Sequence, residues 1–256
     1  MDRKIYKFDT ITSTNDFCKD IAKVGSPEGT IAVADFQTMG KGRLGRTFES
    51  PKGTGLYFSV VLRPKFSREY VPFITTAAAV ALAKAIENVS PRKAYIKWVN
   101  DIYVDHKKAA GILAESSFSD IDYNLNFVII GVGVNILPPK KGFSDNIKDI
   151  AGSIYKKIAP SDIKDKLLVA FFNEFEKIYE ALPDTSFIKE YRDRSFLLGK
   201  NITFIKGEEE ISALVKDIDD SGSLVVIKEN GEEQTLSTGE VNIKKDEKFF
   251  GILNNE

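Results

Sequence analysis

The amino-acid sequence predicts an α+β fold, a sheet-and-helix domain over residues 1–198 followed by a small all-β domain over residues 199–256. Three observations carry this. Four strand patterns follow one another through tight turns, beside two long helical patterns. From Lys200 the texture changes to short strands separated by Asp, Gly and Asn turns, at the regular spacing of a small barrel. The length of 256 residues exceeds one domain and falls short of two. With 43% hydrophobic and 29% charged residues the chain can bury a sizeable core, and it is neither disordered nor fibrous.

Residues 5–9 alternate as a strand. TSTND then offers hydroxyl and amide N-caps ahead of Phe17, Ile21 and Val24, the i, i+4, i+7 face of a helix stopped by Gly25. IAVADFQ is a strand. TMGKGRLGRTFESPKGTG, residues 38–55, is rich in glycine and basic residues with almost no aliphatic content, so it reads as a long loop. Loops longer than about 12 residues inside a compact domain are usually functional or mobile. LYFSVVLR is a buried strand, and Phe73 to Ile86 form an alanine-rich helix whose small side chains allow close packing on a sheet. YIKW, DIYV, AAGILAE and NFVIIGVGVNI are the four short strands, with a hairpin at Asp105-His106.

Ile163, Leu167, Phe171, Phe175, Ile178 and Leu182 space a helix from Ser161 to Leu182, capped by Ser161 or Asp162, with Pro183 beyond its end. A further short helix spans Phe187 to Ser195. After a boundary at Leu198-Gly199 come NITFI, ISALVKDI, SLVVIKE, EQTLS and VNI, with Glu208-Glu209-Glu210 as a solvated hairpin turn.

Lys and Arg number 36 against 37 Asp and Glu, a net charge of -1. That argues against coating nucleic acid or an anionic membrane by bulk charge, so neither DNA nor membrane is an expected partner and any basic site is local. The single cysteine, Cys18, and the single histidine, His106, exclude a disulfide framework, a zinc set and a Ser-His-Asp or Cys-His mechanism. MDRKIYKFDT lacks the apolar core of a signal peptide, and no stretch approaches the roughly 20 apolar residues that span a bilayer. A cytoplasmic protein is expected.

Three constellations can carry chemistry. GKGRLGR, Gly40 to Arg46, sets Lys41, Arg43 and Arg46 among glycines whose backbone amides can approach an anion, as a phosphate clamp would. It is neither a P-loop nor a dinucleotide fingerprint, and a flexible basic surface loop has the same composition. KWVND, Lys97 to Asp101, followed by KKAAGILAE, offers Lys97 for phosphate oxygens and Asp101 as a hard oxygen ligand for magnesium. Core packing of Trp98 and an exposed hairpin at Lys107 and Lys108 are the plainer readings. In GVGVN, Asn135 ends a strand where it can donate and accept at a base edge, or simply form a turn.

Taken in order, TSTN, Gln37 followed by GKGRLGR, KWVND, KKAAGIL and GVGVN resemble the biotin protein ligases, over essentially the whole chain. FLLGKNITF, DIDDSGSLVV and STGEVNI are similar to the small SH3-like barrel that follows the catalytic domain in that family. The resemblance implies a mixed β-sheet packed with α-helices, of the class II aminoacyl-tRNA-synthetase-like biotin/lipoate ligase type. It implies ATP and biotin as substrates with Mg2+, attack of the biotin carboxylate on the α-phosphate to give biotinyl-5'-AMP and pyrophosphate, and transfer to a lysine of a biotin carboxyl carrier protein.

Carried over residue by residue, the resemblance assigns biotin to Ser13, Thr14, Asn15, Gln37, Lys41, Gly42, Arg43, Lys108 and Gly111. It assigns ATP to Arg46, Phe48, Lys97, Asn100, Asp101, Asn135 and Lys244, with Asp101 also as the magnesium ligand and Arg43 and Lys108 as catalytic. Biotin's ureido ring has two N–H donors and one carbonyl, which suits short polar side chains in an apolar slot. The sequence departs from the commonest pattern at Lys41, usually arginine, at Phe48, usually tryptophan, and at Val99, usually proline. Lys41 keeps the charge and loses the bidentate fork. Phe48 can still stack on adenine.

Three other readings compete: a lipoate-type acyl ligase, whose motifs differ from GKGRLGR and KKAAGIL; a DNA-binding regulator with an added helix-turn-helix domain; and a nucleic-acid-binding protein using the basic loop and barrel. The ligase pattern begins within the first ten residues, leaving no room for the added domain. A homodimer is compatible with the sequence.

Overall fold

The structure, a computed structural model, describes residues 3–119, 124–207 and 209–243. Seven strands form one sheet in the order β1-β2-β3-β7-β6-β5-β4. They are β1 (Ile5–Phe8), β2 (Ile31–Ala34), β3 (Gly55–Leu62), β4 (Tyr95–Lys97), β5 (Asp101–Val104), β6 (Lys107–Phe118) and β7 (Leu125–Asn135). β1 and β2 pair in parallel and the other neighbours antiparallel, which makes the sheet mixed. The β5–β6 turn is the expected hairpin: Asp105 (φ 48°) and His106 (φ 65°) both take the positive φ that matches strand twist in a two-residue turn.

Helices α2 (Val71–Val89) and α3 (Ile163–Ala181) cover one face of the sheet. Every residue from Ala77 to Ala83 is fully buried, and the small side chains admit Phe171, Phe172 and Phe175 of α3, with Phe171 set edge-on to Phe58 at 5.1 Å between ring centroids. Arg68–Val89 is, by length and composition, apolar enough to cross a membrane, contrary to the sequence expectation. Here that apolar surface is spent on packing between sheet and α3. The short helix α4 (Ile188–Asp193) follows.

On the opposite face lies α1 (Thr14–Lys23), capped by Ser13, whose Oγ accepts from the Asp16 N–H at 3.4 Å. Of the expected face Phe17, Ile21 and Val24, the first two are partly buried against the core under α1, and the third is not. Thr14, Asn15, Cys18 and Ala22 are buried, while Val24 is 85% exposed. The buried face extends beyond the apolar pattern to Thr14 and Asn15 because both find hydrogen-bond partners on β3, and satisfied polar groups can be buried.

The remaining strands, β8 (Asn201–Lys206), β9 (Glu209–Ile218), β10 (Leu224–Lys228), β11 (Glu233–Leu236) and β12 (Val241–Ile243), form an antiparallel sheet ordered β11-β10-β9-β8-β12. Glu209 and Glu210 are exposed residues of β9 rather than of the expected turn, and Glu208 lies outside the described residues. Of the strands read from sequence, IAVADFQ shortens to β2, β6 lengthens to 12 residues, and β7 keeps its 11 residues with a shift of one position. YIKW ends at Lys97 because Trp98 leaves the sheet for the core, where its Nε1 donates to Gly222 O at 3.0 Å and ties the two sheets together.

Candidate active site

The face that α1 covers only in part carries a cleft, roofed by the glycine loop and by residues 143–151. Its floor follows from register. Lys97 pairs with Asp101, Asp101 with Gly111, and Gly111 with Gly133, so these four residues lie in one row on one face of β4, β5, β6 and β7. The glycines keep the floor low. A Cβ on Gly133 would stand 2.5 Å from the Phe48 ring, and one on Gly111 would stand 3.4 Å from it.

Ser13, Thr14, Asn15, Gln37, Lys41, Gly42, Arg43, Arg46, Phe48, Lys97, Asn100, Asp101, Lys108, Gly111 and Asn135 all line this one cleft. Lys244 lies outside the described residues. Residues far apart in the chain therefore converge on one concave surface, the usual form of a small-molecule site.

One end is uncharged and densely hydrogen-bonded. Gln37 Oε1 accepts from the Thr14 backbone N–H at 2.8 Å, and Gln37 Nε2 donates to Ser50 Oγ at 2.9 Å. Ser59 Oγ sits 2.7 Å from Thr14 Oγ1 and 2.5 Å from Asn15 Oδ1. Asn15 Nδ2 donates to Glu115 Oε2 at 2.8 Å. The arrangement needs Gly131, where a Cβ would fall 2.0 Å from Asn15 Oδ1.

The other end is cationic. Lys108 Nζ pairs with Asp101 Oδ1 at 2.7 Å, and Arg46 pairs with Glu240 at 2.5 Å. Arg43 donates to Asn100 Oδ1 at 3.1 Å and to Gly239 O at 2.9 Å; Asn100 Nδ2 in turn donates to Ile112 O, which fixes its amide. The Lys41 ammonium is turned to Asp16 at the start of α1, and that pairing holds it above the usual lysine range. Asn135 donates to Gly152 O at 3.0 Å, anchoring the segment that roofs the cleft.

Lys97 is held below the usual lysine range by burial, with repulsion from Lys108 and Arg46 adding to it and attraction from Asp101 and Glu240 opposing it. A depressed folded-state value means that folding works against the charged form at neutral pH. That cost fades as pH rises from the folded-state value toward the ordinary 10.5. Lys97→Met is therefore expected to raise Tm at pH 7 and to lose that advantage progressively toward pH 10, as thermal melts across this range will show; an advantage that grows with pH refutes the assignment.

Several contributors escaped sequence reading. Glycines alternating inside a strand, as in GVGVN, signal close approach of another group, and this signal was available for Gly131 and Gly133. Ser59 was visible only as a lone polar residue in LYFSVVLR. Gly239 and Glu240 had no signal, since they reach the loop arginines from the second sheet.

Residues 7–135 match the biotin/lipoate A/B protein ligase family, and residues 197–244 match the biotin protein ligase C terminal domain. The chain is 37% identical over 167 residues to the bifunctional ligase/repressor BirA of Bacillus spizizenii, covering 64% of this chain and 51% of that protein. It is 25% identical over 237 residues to the biotin--[acetyl-CoA-carboxylase] ligase of Mycobacterium tuberculosis, covering 90% and 85%. The fold is similar to that of the biotin protein ligase from Aquifex aeolicus in complex with biotin and ATP, with a TM-score of 0.75 and 25% identity over 94% of this chain and 98% of that one. The chain spans about half the length of the Bacillus BirA relatives, 51% and 53%.

Proposed function

The chain belongs to the biotin/lipoate A/B protein ligase family, and from that premise we propose that it activates biotin with ATP and transfers it to a lysine of a biotin carboxyl carrier protein. A carboxylate oxygen of biotin attacks the α-phosphorus, pyrophosphate leaves, and the acceptor amine then attacks the mixed anhydride carbonyl with release of AMP. The observation that carries this reading is a single cleft with two chemically distinct ends. The uncharged end around Thr14, Asn15 and Gln37 suits a cyclic urea, and the cationic end of Arg43, Arg46, Lys97 and Lys108 suits two anions that must be brought together.

Among the acids this family activates, lipoate fits less well. A dithiolane ring neither donates nor accepts strong hydrogen bonds, so the polar end would lose water and gain nothing. Ser13, Thr14, Asn15 and Gln37 are assigned to the urea, Lys41, Gly42 and Gly111 to the rest of biotin, and Arg43 and Lys108 to the reacting carboxylate and α-phosphate. Arg46, Phe48, Lys97, Asn100, Asp101 and Asn135 are assigned to the nucleotide. Residues 1–198 and 199–256 act as catalytic and capping domains in a cytoplasmic protein.

Magnesium belongs to this proposal as an ion carried by the nucleotide. No group of three or more His, Cys, Asp or Glu side chains that could hold a metal occurs among the described residues. Asp101, already paired with Lys108, offers one carboxylate beside phosphate oxygens, a donor set that magnesium accepts, and the ion would neutralise phosphate charge.

The test is exchange of labelled pyrophosphate into ATP. Exchange is expected with biotin and not with lipoate or without an acid. Equal exchange in the absence of biotin overturns the reading, and equal exchange with lipoate overturns the substrate assignment.

A further inference from the structure

Resting on that reading of the uncharged end, we infer that Glu115, which does not line the cleft, is a positioning residue that sets the hydrogen-bond polarity of the urea site through Asn15 and Ser59. The argument is a count of protons. A carboxylate only accepts, so Asn15 must turn Nδ2 toward Glu115, 2.8 Å away, and Oδ1 toward Ser59, 2.5 Å away. That oxygen only accepts, so the one hydroxyl proton of Ser59 is committed to it. Ser59 Oγ then stands as an acceptor 2.7 Å from Thr14 Oγ1, and the Thr14 hydroxyl proton is shared between it and Gln37 Oε1, 3.0 Å away.

Gln37 is oriented by the same logic from the other side. Its Oε1 accepts from the Thr14 N–H, its Nε2 donates to Ser50 Oγ, and Ser50 donates to Phe48 O at 3.0 Å. The Ser59 proton thus runs toward Glu115 and the Thr14 proton is spent on Ser59 and Gln37 within the protein, which leaves oxygen lone pairs on Thr14 for a ligand rich in N–H donors. Ser13, whose Oγ accepts from Asp16 N–H, keeps a proton for a ligand carbonyl. Two N–H donors beside one carbonyl is the pattern of a cyclic urea.

The chain has little freedom to rearrange. Asn15 and Ser59 are 4% and 0% exposed, Gly131 leaves Asn15 no spare room, and Lys19 lies 3.7 Å from the outer carboxylate oxygen of Glu115. With Glu115→Gln, residue 115 can accept from Asn15 or donate to it. Asn15 then loses its fixed sense, and in the reversed state Ser59 accepts from Nδ2 and donates to Thr14 Oγ1. One Thr14 lone pair would then be taken by Ser59, and the Thr14 proton would be left to Gln37 Oε1 alone, so the site would offer the urea N–H a poorer acceptor.

The experiment compares biotin with its isosteric cyclic carbonate, in which an oxygen replaces each ring N–H, using calorimetric Kd values for the wild type, Glu115→Gln and Ser59→Ala. The wild type is expected to prefer biotin. Glu115→Gln should weaken biotin by about tenfold while narrowing the biotin-to-carbonate ratio by a similar factor, with the Kd for ATP unchanged. Ser59→Ala, which cuts the chain downstream of an intact Glu115, should narrow the same ratio. An equal loss for both ligands in both variants shows a merely structural role and overturns the inference, as does an unchanged ratio. A wild type that binds neither ligand overturns the biotin reading itself.

Discussion

Lys108→Ala is expected to slow formation of biotinyl-5'-AMP by about 10² to 10³, the typical cost of losing one fixed stabiliser of developing charge. Lys108 stands at the start of β6, held by backbone hydrogen bonds from its N–H to Ile150 O and from Gly152 N–H to its carbonyl, so the ammonium is delivered from a fixed base. Its partner Asp101 lies opposite Lys97 in the β4–β5 register and keeps a neighbouring cation in the variant. The loss should therefore fall on the chemical step rather than on folding. Single-turnover measurement with labelled ATP, alongside a thermal melt, separates the two. A folded variant that makes the adenylate at a near-normal rate refutes the role.

Gly131→Ala should be the more damaging change to the binding end, although it adds one methyl group. β7 is paired on both sides, with β3 and with β6, so the backbone at residue 131 cannot retreat. The new Cβ would lie 2.0 Å from Asn15 Oδ1, and Asn15 must rotate away from Ser59 and Glu115. Overpacking in a well-packed core costs about 1 to 3 kcal/mol, and a lost hydrogen bond to a charged carboxylate adds about 1.5 to 3 kcal/mol. A fall in Tm together with loss of measurable biotin binding is the expected result in calorimetry. Gly131→Ala with wild-type biotin affinity would show that Asn15 does not serve the ligand from this position.

How far the chain could be read in advance differs from element to element. The helix at 163–181 was legible because its aromatic and aliphatic residues repeat at helical spacing and the whole face is buried, so periodicity and burial agree. The hairpin at Asp105-His106 was legible because few residues accept the φ it requires. The face of α1 was legible only in part, at Phe17 and Ile21, for the opposite reason. Its buried residues include Thr14 and Asn15, and only partners on β3 and β6 make their burial tolerable. The membrane-length apolar run in α2 was underestimated, because alanines pack a helix against its neighbours as readily as they face lipid.

The sequence by itself determined the chemistry available: no thiol pair, no imidazole pair, a glycine loop carrying Lys41, Arg43 and Arg46, and short polar residues ahead of the first helix. It also determined the order of strands and helices, because local periodicity and turn chemistry act over a few residues. Tertiary structure alone decided which charges face the cleft and which are spent elsewhere. Lys41, one residue from Gly42 in the same loop, is drawn to Asp16, while Arg43 and Arg46 reach Gly239 and Glu240 almost two hundred residues away. It also decided that Glu115 and Ser59 hold Asn15 and that Gly131 and Gly133 make room for Asn15 and Phe48. The physical reason is range: propensity and pattern act between neighbours in the chain, whereas hydrogen-bond direction, desolvation and steric room depend on groups that only strand register and sheet packing bring together.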